Sequence, residues 1–266
     1  MQKILYFIIL ARPYQWHKNI FILAPIFFAG KIFSDKIYNL LLLFLNFVTV
    51  SSAVYSINDI IDYQRDKSHP TKQNRPIASG KISKKEALTF SFVFLTISFI
   101  LAYYINSIIF VVLYVFINII YSAFIKDKKP LDIFFVSSGF VIRVLAGAHI
   151  SQISPSSWLI ITTFFLAVFL STMKREAELH TKIYERIGLI SATLTTVSYS
   201  LYTVLERKGM LSALSVFPVF YGIIRYYIIA EESDVKDPSI LVFDREIVIS
   251  FLTWFALIFS DLYLRS

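Results

Sequence analysis

Apolar stretches long enough to cross a bilayer recur along nearly the entire chain, and this constrains the fold more than any other feature. They fall at about 19–34, 39–57, 87–105, 107–125, 131–150, 157–173, 188–205, 210–229 and 246–264. Nine such stretches predict nine transmembrane helices: an all-α, polytopic membrane protein forming a single domain over residues 1–266. The first stretch is the shortest and contains Pro25. With 56% of residues hydrophobic, including 26 Phe and 16 Tyr, a soluble core could not hide the apolar surface, whereas a bilayer accepts it. No soluble domain, long linker or internal repeat interrupts the pattern. Met1 to Ala11 imitates a secretory signal, but its apolar run is too short to span and no small-residue cleavage site follows. Leu5 to Lys18 reads instead as an interfacial segment, with Tyr14 and Trp16 suited to the headgroup layer.

Basic residues set the orientation. With the N-terminus in the cytosol, 19 of the 26 Lys and Arg fall in inside segments and five outside, while Arg143 and Arg225 lie within spans or at their ends. This bias accounts for the net charge of +8 without nucleic acid. The absence of cysteine excludes disulfides and thiolate chemistry, and four scattered His disfavour an imidazole metal site. Outside links such as Asn106-Ser107 and Ser151 to Ser156 are short and uncharged, and the inside links are long and ionic, so chemistry is expected at the cytosolic face.

The second span runs directly into Asn58-Asp59-Ile-Ile-Asp62-Tyr-Gln-Arg-Asp66. At 100° per residue, Asn58, Asp59, Asp62 and Asp66 fall at roughly 0°, 100°, 40° and 80° and share one helix face. Three carboxylates so placed repel one another unless a cation sits among them. Mg²⁺ takes hard oxygen ligands and keeps phosphates in its shell, so this face suits a metal-bound diphosphate. The plainer alternative is a solvated helix end with Asp62 and Asp66 paired to Arg65 and Lys67. Against it, the last turn of a helix favours cations over carboxylates. In the basic loop that follows, Lys72 and Arg75 lie beside Pro70 and Pro76 and suit phosphate contact. Lys81, Lys84 and Lys85 need no more than the charge bias of inside loops.

Two further groups bear charge. Span four ends in Tyr121-Ser122-Ala-Phe-Ile-Lys126, and span five carries Asp132 and, about 16 Å further along, Arg143. Eleven residues place Asp132 and Arg143 within about 20° of each other on the helix, so a polar cavity reaching in from the cytosol is expected there. A structural ion pair or snorkelling is the alternative. Ser137, Ser138 and Gly139 on the same span read as close helix packing. Span six ends in Lys174-Arg175-Glu-Ala-Glu178. The spacing fits a stabilising surface pair and an anion clamp equally well.

Taken together, these segments resemble the UbiA prenyltransferase superfamily. Asn58-Asp59-x-x-Asp62-x-x-x-Asp66 is similar to its first aspartate motif, and the superfamily has nine transmembrane helices in a bundle with a cytosol-facing active-site cavity. Its second motif, after the sixth helix, is usually DxxxD, where this chain has Lys174-Arg175-x-x-Glu178. That departure resembles the decaprenyl-phosphate phosphoribosyltransferase branch. So do Arg12-Pro13-x-Gln15-Trp16-x-Lys18-Asn19, His69-Pro70-Thr71-Lys72-x-x-Arg75-Pro76, Tyr121-Ser122-x-x-x-Lys126, Ser137-Ser138-x-Phe140-x-Ile142-Arg143-x-x-Ala146-Gly147 and Arg225-Tyr226.

The resemblance implies an inner-membrane enzyme that transfers 5-phosphoribose from phosphoribosyl pyrophosphate (PRPP) to a long polyprenyl phosphate, releasing pyrophosphate. The product leads to lipid-linked arabinose for the cell wall. Asp59, Asp62 and Asp66, supported by Asn58, would hold Mg²⁺ on the pyrophosphate. Lys72, Arg75, Tyr121, Lys126, Arg143, Lys174, Arg175 and Glu178 would bind substrate, with Lys18 and Asn19 serving the lipid phosphate. A prenyltransferase acting on an aromatic acceptor is the nearest alternative, and a transporter or scaffold the more distant one. A homo-oligomer stays open, because no motif speaks to assembly.

Overall fold

The computed structural model describes residues 2–179, 181–232 and 243–264. Lys236 and Arg265, both part of the charge bias, lie outside them. Among the described residues all regular structure is helical. The helices are α1 (Gln2–Ala11), α2 (Ala24–Phe28), α3 (Ile37–Ile61), α4 (Tyr63–Lys67), α5 (Lys84–Tyr104) and α6 (Ile108–Ile120), followed by α7 (Leu131–Ser151), α8 (Ser157–Leu179), α9 (Lys182–Tyr202), α10 (Met210–Leu214), α11 (Val216–Glu232) and α12 (Arg245–Phe259).

Among the described residues eight helical segments are long and apolar enough to cross a membrane, which makes this a multi-pass membrane protein. They match the second to ninth predicted spans. The first predicted span differs: residues Pro13–Leu23 form a 3-10 stretch that leads into the five-residue α2. Pro13 opens the 3-10 stretch after Arg12 turns the chain at a φ of 54°. Pro25 stands in the first turn of α2, where a missing N–H removes no helical bond.

By contacts the chain forms two compact units. The first comprises Met1–Phe27, Lys31–Asp127 and Ile142–Ser154; the second comprises Phe28–Gly30, Lys128–Val141 and Pro155–Ser266. In the first, α3 packs along α5, and Phe47, Leu40, Leu43, Val50, Ile22 and Ala146 form a core from which water is excluded. Gly147 permits the closest approach in that core. A Cβ there would lie 1.9 Å from the Ile22 carbonyl oxygen, so only glycine lets the 3-10 stretch rest directly on α7. In the second unit α8 packs along α9 and α11 along α12, around Phe169, Met173, Ile223 and Tyr226. Hydroxyls within the spans return to their own helices: Ser137 donates to the Ile133 carbonyl (2.7 Å), Ser138 to Phe135 (2.8 Å) and Thr172 to Val168 (2.6 Å). Such bonds satisfy polar groups where water is scarce, and for Ser137 and Ser138 they agree with a packing role.

Candidate functional site

The aspartate face forms as the helical geometry requires. Asp59 and Asp66 are almost fully buried, and one nitrogen of Arg75 reaches both, at 2.9 Å from Asp59 Oδ1 and 2.8 Å from Asp66 Oδ2. Asp62 caps α3 and opens α4, keeping the backbone nearly helical through Asp62 N–H to Asn58 O and Asp66 N–H to Asp62 O, both 2.8 Å. Its carboxylate meets Lys126 rather than Arg75. Arg65 pairs with Asp127 across an exposed surface (2.9 Å), so the pairing of Asp62 and Asp66 with Arg65 and Lys67 does not form.

A residue that sequence reasoning left out of the site joins this face. Arg12 donates to Asp59 Oδ1, and its guanidinium lies 5.1 Å from the centre of the Tyr55 ring. Tyr55 and Asp59 are one helical turn apart, so ring and carboxylate grip the cation together. Burial alone would lower the Arg12 pKa; the negative charge of Asp59, the neighbouring Tyr14 and Tyr55 and the hydrogen bond to Asp59 together outweigh it and hold the group above its ordinary value. The Arg12 backbone is fixed from both sides, because the Ala11 carbonyl accepts from Ser52 Oγ (2.9 Å) and Trp16 Nε1 (3.2 Å).

The end of α6 widens into a π-helical turn, Tyr121–Ile125, which carries Tyr121 and Ser122 and aims Lys126 at Asp62. π-turns of this kind frequently mark functional positions. Ser122 Oγ donates to Asn58 Oδ1 at 2.7 Å, a second contact with no signal in the sequence. Lys72 sits on a 3-10 turn, Lys72–Asn74, organised by His69, whose Nδ1 accepts the backbone N–H groups of Thr71 and Lys72 (both 3.3 Å). Lys18 lies half-buried on the 3-10 stretch.

Arg143 does not pair with Asp132. It is buried, with Nε on Asn19 Oδ1 (2.7 Å), Nη2 on the Tyr114 hydroxyl (3.2 Å) and its guanidinium 4.8 Å from the Tyr114 ring centre. Asn19 is fully buried, and its Nδ2 has no hydrogen-bond partner among the described residues. Orphaned buried donors are rare and call for an acceptor.

The second unit holds the other charged group. Arg175 Nε meets Asp132 Oδ2 at 3.0 Å, and its Nη1 meets Glu178 Oε2 at 3.1 Å. The buried Tyr184 hydroxyl donates to both oxygens of Asp132 (3.1 and 3.0 Å). Lys174 precedes Arg175, half-buried on the same last turns of α8. Asp132 therefore serves Arg175, and the ion pair with Arg143 that was the alternative to a polar cavity does not form, because about 16 Å along one helix gives the two side chains different neighbours.

Among the described residues no three carboxylates or imidazoles are gathered closely enough to hold a metal as they stand. The donor chemistry nevertheless fits Mg²⁺. Asp59 and Asp66 already converge on one cationic nitrogen, and all three carboxylates offer hard oxygens.

The UbiA prenyltransferase family profile matches residues 19–243. A decaprenyl-phosphate phosphoribosyltransferase of Mycobacterium tuberculosis is 31% identical, over 92% of this chain and 90% of its own length. That of Mycolicibacterium smegmatis is 29% identical over 95% and 91%. Among solved structures, a UbiA homolog from Archaeoglobus fulgidus bound to GPP and Mg²⁺ superposes with a TM-score of 0.71 at 19% identity, covering 97% of this chain and 99% of that one. The described helices, the aspartate face that closes α3 and the match over most of the chain agree: the protein belongs to the UbiA prenyltransferase family.

Proposed function

We propose that the protein transfers 5-phosphoribose from PRPP to a long-chain polyprenyl phosphate, releasing pyrophosphate, at the cytosolic face of the inner membrane. The observation that carries this reading is the Arg175 cluster, which stands where the family usually has its second acidic motif. A prenyl donor brings one diphosphate. PRPP adds a 5-phosphate, and the acceptor lipid adds another, so a chain with one acidic motif and one cationic group suits the greater negative charge. The full-length likeness to enzymes named for this reaction supports the same choice.

Asp59, Asp62 and Asp66, with Asn58 beside them, would hold Mg²⁺. When bound, the metal neutralises charge that develops on the departing pyrophosphate. Arg12, Arg75 and Lys126 already meet these carboxylates and are placed to turn towards phosphate oxygens when a competing cation takes the carboxylates. Arg175, with Lys174 beside it, and Lys72 supply further phosphate contacts; arginine does so through its flat, forked donor set. Glu178 braces Arg175. The orphaned Nδ2 of Asn19, backed by Arg143, offers a donor to the lipid phosphate, with Lys18 one residue away. Tyr121 stands on the π-turn that leads to Lys126. An oxygen of the lipid phosphate attacks ribose C1 while the bond from C1 to the pyrophosphate oxygen breaks and its electron pair leaves with pyrophosphate. The nucleophile is already anionic, so no protein base need remove a proton.

The test is product analysis. Purified protein in detergent, given PRPP, Mg²⁺ and a defined polyprenyl phosphate, should yield by mass spectrometry a lipid heavier by one phosphoribosyl group. Omission of any of the three should abolish it. Because the Archaeoglobus neighbour binds GPP, a parallel reaction with radiolabelled prenyl diphosphate and an aromatic acceptor examines the second reading. Turnover there and none with PRPP would overturn the first.

A further inference from the structure

We infer that Asp132 and Tyr184 are positioning residues for Arg175, fixing the plane of its guanidinium so that it addresses a phosphate of the phosphoribosyl donor. The inference rests on the role proposed above for Arg175. Three helices build the device: Tyr184 on the first turn of α9, Asp132 on the first turn of α7, and Arg175 near the end of α8.

Arg175 alone would be a poor clamp. An arginine side chain has many rotamers, and an untethered one must be ordered each time it binds. Here it is held at two points, Nε on Asp132 (3.0 Å) and Nη1 on Glu178 (3.1 Å). Two points on a planar group, held by carboxylates from different helices, define the plane. Glu178 lies on the same helix three residues on and moves with Arg175, so Asp132 supplies the outside reference.

Asp132 in turn has to be immobile. It is 1% exposed, and a buried carboxylate is tolerated only when its oxygens are satisfied. The Tyr184 hydroxyl spans both oxygens, and the Tyr184 ring is fully buried against Ile133 and Val168, with Phe164 and Ile187 packed around it. Lys129 approaches the same ring, at 5.6 Å from its centre. Burying an ion pair and a phenol in this way is weak stability engineering, since apolar side chains of similar volume serve a core at least as well. What the arrangement supplies is a fixed direction.

Kinetics of the full chain in detergent would test this. Tyr184→Phe removes one hydroxyl and keeps the ring. It should raise KM for PRPP about five- to tenfold, less than the full effect of losing a hydrogen bond to a charged group because Asp132 and Arg175 stay paired, while kcat and KM for polyprenyl phosphate stay within about twofold. Asp132→Asn should act in the same direction and guards against a folding defect particular to one variant. The decisive comparison is the double variant: Tyr184→Phe should add nothing further once Arg175 is alanine, because its effect passes through that side chain. If Tyr184→Phe instead worsens Arg175→Ala, or acts equally on both substrates, Tyr184 and Asp132 are structural and the inference falls. If Arg175→Ala raises KM for PRPP while Tyr184→Phe and Asp132→Asn do not, the inference falls and the role of Arg175 stands. If Arg175→Ala leaves that KM unchanged, the role of Arg175 falls as well.

Discussion

The two charged groups neutralise themselves in opposite ways. On the aspartate face, Asp59, Asp62 and Asp66 meet three cations, Arg12, Arg75 and Lys126, drawn from three different segments of chain. In the second unit Arg175 lies between two carboxylates, Asp132 and Glu178, one of them anchored by a buried tyrosine. The first arrangement is exchangeable. Its cations come from a loop, a bend and a helix end, and a divalent ion can compete for the same oxygens. The second is fixed, with a short route to rigid core. A transferase that admits a metal-bound leaving group and grips an unchanging phosphate has use for one of each.

The largest effect expected from breaking the first group is at Asp59. Asp59→Asn removes the charge that both Arg12 and Arg75 meet, and one of the three carboxylates offered to Mg²⁺. Transfer should fall by about 100-fold or more, with the Mg²⁺ dependence of the initial rate displaced to higher concentration. Full activity at unchanged Mg²⁺ would show that the face holds no metal. Next in size is Gly147→Ala. The new Cβ meets backbone, the Ile22 carbonyl, which cannot swing aside as the end of a side chain could. We expect a loss of roughly 1–3 kcal/mol of stability from overpacking, read by thermal unfolding in detergent. Displacement of the 3-10 stretch should also separate Asn19 from Arg143 and raise KM for the lipid more than for PRPP.

How much of this was legible beforehand depends on the range of the interaction. The aspartate face is a local periodicity, and eight spans are local runs of hydrophobicity, so both could be read directly. One Arg75 nitrogen meets both Asp59 and Asp66. Asp62 deviates because α3 gives way to α4 at that residue, and its carboxylate turns to Lys126. Arg12 lies 47 residues from Asp59, and no periodicity links an N-terminal bend to the end of α3. The pairing of Asp132 with Arg175 was hidden for a related reason. Angle around a helix says which residues share a face, but tertiary packing decides which neighbours each meets along the axis. The first span takes another form because hydrophobicity measures burial in lipid or core, and a 3-10 stretch leading into the short α2 satisfies it as well as one long helix does.

The exchangeable character of the aspartate face can be sharpened with Arg75→Lys. A lysine keeps the charge and loses the fork, so it cannot serve Asp59 and Asp66 and then turn a bidentate edge to phosphate. KM for PRPP should rise about tenfold with little change in fold. A comparable lysine substitution at Arg12 should cost less stacking energy than it costs in donor geometry, since an ammonium also sits well over the Tyr55 ring.

The smallest effect is expected at Arg65, and it separates charge from position. Arg65 is next to Asp66 in sequence and belongs to the same basic segment as Arg75. Its bonds run instead to Asp127, 3.1 and 2.9 Å from Nη1 and Nη2, and both side chains are more than half exposed. Exposed pairs contribute at most about 1 kcal/mol, and salt screens them. Arg65→Ala should therefore leave KM for PRPP and the Mg²⁺ dependence within about twofold of the parent. If it matched Arg75→Lys, general positive charge near the face would be what matters, and the pairing of particular cations with particular carboxylates would lose its meaning.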